Sequence, residues 1–182
     1  MKKKRIDPKV ILAIILLVAF LGTYLAGVFS HKKLHHDPDE TDTITNQLPV
    51  VNDQGPQFVK QGELSFLAAS DRHSIKRIAI EIADTDSKRQ MGLMFRKSMV
   101  DTNGMLFLFP VSEPQNFWMH NTYIPLDIIY VNENREIVTI GRNCKVLNDA
   151  DVPSGKDAQF VVEVNGGFCD KNGIKEGDLI SF

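Results

Sequence analysis

The sequence predicts a mainly β domain, a compact antiparallel sandwich or barrel with two short helices, preceded by one N-terminal transmembrane helix. Three observations carry this reading. Short apolar runs punctuated by turn residues fill the C-terminal part of the chain, without the regular strand-helix alternation of a parallel α/β sheet. An unbroken apolar run, Val10 to Phe29, follows Lys2, Lys3, Lys4 and Arg5. A polar stretch without apolar periodicity separates the two.

In chain order, residues 1–9 form a basic end, and the run over 10–29 is long enough to cross the ~30 Å hydrocarbon core as a helix. It lacks the polar face of a soluble surface helix. The basic cluster predicts a cytoplasmic N-terminus, which places the remaining chain on the outer, periplasmic side of the cell membrane as a single-pass protein. A signal peptide cleaved after Ser30 is the alternative, and would release a periplasmic or secreted domain. Residues 30–56 are rich in Asp, Thr, Asn, His and Pro and read as a flexible tether. His31, His35 and His36 fit a solvated spacer better than a metal clamp, because closing a disordered segment around an ion costs chain entropy.

Residues 57–182 are the folded domain. Glu63 to Ala68 reads as a first strand, and Ile75 to Ala83 as a second, with Ile78, Ile80 and Ile82 alternating with polar or small neighbours. Asp84 or Thr85 is placed to cap a short helix through Met91, with Gly92 to end it. Met105 to Phe109 is apolar throughout, as a central strand is. Leu126 to Val131 and Glu136 to Ile140 flank Asn132-Glu133-Asn134-Arg135, a hairpin signal. Phe160 to Val164 is another strand, Gly167 to Asn172 a helix closed by Gly173, and Leu179 to Phe182 the last strand. The phrase GIKEGDLI before it reads as helix stop, turn and strand start.

The chain has 21 Lys and Arg against 23 Asp and Glu, a net charge of −2. That balance lacks the basic stripe nucleic acid requires, so nucleic acid is not an expected partner. The membrane is one expected partner, through the N-terminal helix, and a small polar ligand or a protein is another. The two cysteines, Cys144 and Cys169, lack metal-type CxxC spacing. In an exported domain a disulfide between them and two free thiols are both open.

The densest chemistry is FWMHNTYIPLD, Phe117 to Asp127. In an extended conformation Phe117 and Met119 point to the core, while Trp118 and His120 form the wall and polar tip of a concavity. Pro125 removes an amide donor and restricts Ile124, so the chain turns. Asp127 is then expected to fold back onto Asn121 and Thr122. With GLMFR at 92–96 and GMLFLFP at 104–110, this segment resembles the domain of unknown function 192 family, from about Phe58 to Phe182. The resemblance implies a small, mainly β domain. Family members commonly carry lysine where this chain has His120, a titratable, metal-competent group instead.

The candidate ligand-binding residues are therefore Trp118, His120, Asn121, Thr122 and Asp127, with Arg96 as a guanidinium fork held in reserve. Binding a small polar ligand or partner is the leading expectation. A hydrolase or transferase using His120 is the first alternative, with Cys169 weighed as a nucleophile. No GxSxG, HExxH, P-loop or dinucleotide fingerprint accompanies it, so catalytic residues and cofactors remain unassigned. The second alternative is soft-metal (copper) binding, motivated by Met91, Met94, Met99, Met105 and Met119 beside His120; thioethers also serve as core filler.

Overall fold

The computed structural model describes residues 55–182. The basic end, the apolar run over 10–29 and the histidines near residue 35 lie outside the described residues. Seven strands and two short helices follow one another as β1 (Gly62–Leu67), β2 (Ser74–Ala83), α1 (Asp86–Met91), β3 (Asn103–Phe117), β4 (Leu126–Val131), β5 (Ile137–Cys144), β6 (Val152–Asn165), α2 (Phe168–Asn172) and β7 (Leu179–Ser181). They form one sheet in the order β5-β4-β6-β3-β2-β1-β7. The sheet curls until its outer strands meet at one end, where Glu136 bridges Leu179 and Ile180 N donates to Arg135 O at 2.9 Å. The result is a half-barrel.

Two expectations are corrected here. The domain is neither a two-sheet sandwich nor a closed barrel, and its pairing is not wholly antiparallel: β2 and β3 run parallel, from Ala79↔Asn103 to Ala83↔Phe107. The connection over residues 84–102 explains this, because it carries α1 and is long enough for the crossover that parallel neighbours need. Every other strand pair is antiparallel.

β3 and β6 run well beyond the apolar stretches that mark them. Their pairing is broken by irregularities between Leu108 and Glu113 and between Pro114 and Asn116, and such bulges let Pro110 and Pro114 sit within a strand. Alternation then sorts the core onto two faces. Leu106, Ile129, Val131, Val162 and Val164 join Leu64, Phe66, Ile78, Ile80 and Phe168 on one side. Met105, Phe107, Leu126, Ile128, Tyr130 and Val161 lie on the other, covered by Leu93, Met119 and Ile124. β4 is consequently buried at every position.

Both helices begin and end as their residues dictate. Thr85 caps α1, its side chain accepting from Lys88 N, and Gly92 closes it. Gly173, left-handed at φ 71°, closes α2. In the hairpin between β4 and β5, Asn132 Oδ1 accepts from the amides of Asn134 and Glu136.

Candidate functional site

The segments that cover the second face leave a cleft of about 230 Å³ between the end of α1 and the outer half of β3. Met91, Gly92 and Met94 form one wall; Phe109, Phe117 and Trp118 form the other. Phe107 and Glu163 also line it, both deeply buried. Bulged β3 places Phe107, Phe109 and Phe117 edge to face, with centroids 5.0 Å and 6.3 Å apart. Trp118, the only tryptophan of the chain, remains 49% exposed at the mouth.

Glu163 is the unusual group. It stands on β6 between Met105 of β3 and Ile128 of β4, is 5% exposed, and its Oε2 has no hydrogen-bond partner among the described residues. Burial pushes its carboxyl up to about 8; Arg96 and the Leu93 amide pull the other way without cancelling it. A Cβ on Gly92 would sit 3.3 Å from the Phe107 ring and 3.6 Å from Glu163 Oε2. Glycine there, at φ 48°, keeps the floor of the cleft open above the carboxyl.

The neighbouring charges are committed. Arg96, itself buried, meets Glu81 Oε2 through Nη2 at 2.5 Å. The contact is ionic without hydrogen-bond geometry, since Glu81 Oε2 and Arg96 Nε both lack a hydrogen-bond partner among the described residues. Arg89 is not the exposed helical charge its position suggests, for its side chain is 18% accessible. It donates to Leu108 O and Asp86 Oδ1, each at 2.6 Å, and its guanidinium lies 5.4 Å from the Phe109 ring centroid.

The residues singled out in the sequence converge only in part. Trp118 and Thr122 line the cleft, with Thr122 Oγ1 donating to His120 O. His120 lies against Trp118, ring centroids 5.5 Å apart, but outside the cleft lining, its Nδ1 2.7 Å from Asp149 Oδ1. Asn121, left-handed at φ 50°, accepts from Phe95 N through its carbonyl. Asp127 does not fold back onto Asn121 and Thr122. Its Oδ1 accepts from Asn143 N and Gly167 N, and its Oδ2 from Cys169 N, so it fastens the start of α2 to β4.

Cys144 and Cys169 are free thiols. Burial, with Asp127 beside it, drives the Cys169 thiol far above its ordinary range, opposite to what a nucleophile needs. Cys144 is shifted the same way by burial. Met105 and Met119 are core residues, Met99 packs against that core, and Met91 and Met94 line the cleft.

Residues 67–182 match the family model of domain of unknown function 192, described as uncharacterized ACR. The chain belongs to this family. It is similar to the UPF0127 protein PF1050 of Pyrococcus furiosus, 28% identical over 110 residues covering 58% of this chain and 88% of that protein. The fold of this chain is similar to that of a protein of unknown function from Novosphingobium aromaticivorans, with TM-score 0.62 and 35% identity over 66% of this chain and 84% of that one. A Sinorhizobium meliloti protein, provisionally described as a transcription regulator, superposes with TM-score 0.63 and 29% identity over 69% of this chain and 97% of its own.

Of the cleft residues, Glu163 has no advance signal. In the sequence it is one polar position inside FVVEVN, the expected outward residue of a half-buried strand. Only the cover laid over this face by residues 92–94 and 119–124 turns it inward.

Proposed function

We propose that this DUF192 domain binds a small molecule in the cleft between Trp118 and Glu163. The observation that carries the reading is the Glu163 carboxyl, buried in the cleft floor with one oxygen unmet. A buried polar group without a partner costs free energy, and such groups in an aromatic cleft mark where a ligand supplies the missing contact. Binding is preferred over catalysis because His120 pairs with Asp149 rather than with a nucleophile, and Cys169 is buried as a neutral thiol. Trp118 is the only tryptophan, so its emission reports on the cleft directly. In a small-fragment screen, occupants should shift that emission and bind Glu163→Gln at least about tenfold more weakly, a loss of roughly 1.4 kcal/mol. If no fragment moves the emission, or Glu163→Gln binds every hit unchanged, this reading fails.

We further propose that the segment over 10–29, behind Lys2 to Arg5, holds the domain on the outer face of the cell membrane. Protease added to intact spheroplasts should then remove a C-terminal tag. A tag protected until lysis contradicts that location.

A further inference from the structure

Resting on that reading of the cleft, we infer that its ligand is an organic cation, a quaternary or protonated amine, held between the aromatic wall and the Glu163 carboxylate. Charge matching comes first. Three formally charged side chains are buried together: Glu81, Arg96 and Glu163. Arg96 is already spent on Glu81, 2.5 Å away, so an ionised Glu163 leaves this group one positive charge short. Among the described residues, Arg96 is the one cation whose charge acts on the Glu163 carboxyl. Glu163 also faces the electrostatic influence of Tyr130 and Cys144, a phenol and a thiol that burial keeps neutral. Arg89, at the rim, pairs with the exposed Asp86 and is turned onto Leu108 O and the Phe109 ring.

The walls suit the same ligand. Phe109, Phe117 and Trp118 offer π surfaces, whose quadrupoles attract a cation and do so most strongly when it carries methyl groups rather than a tight hydration shell. Met91 and Met94 complete the lining with polarisable thioethers that adapt to an apolar outline. An anion would instead meet the Glu163 carboxylate. The volume, about 230 Å³, is below the range of drug-sized pockets and fits a small amine head group.

Binding is then coupled to a proton. Glu163 keeps its proton up to about pH 8 in the empty cleft, and the arriving cation displaces it to solvent. Affinity should rise by up to about tenfold per pH unit below that value and level off above it, since the free protein must first release the proton.

The test uses choline and dimethylbutanol, its uncharged carbon isostere, followed by Trp118 emission and by calorimetry in buffers of different ionisation enthalpy. Choline should bind at least about tenfold better than the isostere, release a proton below about pH 8, and bind Glu163→Gln at least about tenfold more weakly, keeping only the preference that the aromatic wall gives it. Equal binding of the two compounds, or choline binding unchanged by Glu163→Gln, overturns the inference and points to a neutral ligand that accepts from protonated Glu163. If fragments occupy the cleft but choline does not, the inference falls while the ligand-binding reading stands. If nothing occupies the cleft, both fall.

Discussion

Asp127 shows how one carboxylate organises a region. Fully buried, it accepts from the amides of Asn143, Gly167 and Cys169, which belong to the end of β5 and the start of α2. Asp127→Ala leaves these donors without their acceptor, and at about 1–3 kcal/mol for a buried unmet group the loss should be on the order of 3–5 kcal/mol. Asp127→Asn, which keeps one acceptor oxygen, should lose less. Denaturant midpoints for the two variants check this; an Asp127→Ala protein within about 1 kcal/mol of wild type would mean that the carboxylate is dispensable. The sequence shows that Asp127 must serve amides near a turn, but not which ones. Its partners are supplied by residues 16 to 42 positions away, a separation that local turn chemistry does not encode. Glu163 is harder still, because the alternation that hides a strand's apolar residues gives its polar ones to solvent unless a second layer covers them. Gly104 is the opposite case: a Cβ there would lie 2.8 Å from Glu163 O, so the leading glycine of GMLFLFP is fixed by the close approach of β6.

Among the elements, those with strong local signals form where the sequence puts them. Thr85 and Gly92 bound α1, Gly173 ends α2, and Leu126 to Val131 is β4 without adjustment. The elements that escaped are those governed by partners. β3 continues through Pro110 and Pro114 because bulges absorb the prolines, and β6 begins at Val152 because Tyr130 Oη donates to the carbonyl there while Gln115 N donates to Ser154 Oγ. This outer part of β3 carries Phe109 and Phe117 to the cleft, with Trp118 just beyond its end. The parallel β2–β3 pair was likewise out of reach of a strand-by-strand reading, since the length of a connection permits a crossover without requiring one. The loop segments beside the cleft are cross-braced: Phe95, Asn121 and Leu147 are all left-handed, Phe95 N donates to Asn121 O, and Leu147 N donates to Thr122 O. Left-handed non-glycine residues persist only where surrounding structure holds them, and here they hold the turn that presents Trp118.

For the whole domain, the half-barrel encloses its core well and spends stability at one point. Glu163 is a buried acid whose folded pKa, about 8, lies above its ordinary 4.5. Below the ordinary value both folded and unfolded chains hold the proton, and no cost arises. Between the two values the unfolded chain releases it while the folded one does not, so stability falls as pH rises; above about 8 both are ionised and the full cost is present. Glu163→Gln removes this titration and leaves the other groups of the domain in place. The decisive measurement is the denaturant midpoint of the domain, wild type against Glu163→Gln, across pH 4.5 to about 8. The account predicts that the two nearly coincide at the acid end, and that wild type falls behind by on the order of 4–5 kcal/mol at the alkaline end, at ~1.4 kcal/mol per unit of pKa shift. Curves that stay parallel across the range would show that Glu163 titrates as an ordinary solvated acid, and would contradict a cleft built around a buried, unmet carboxyl.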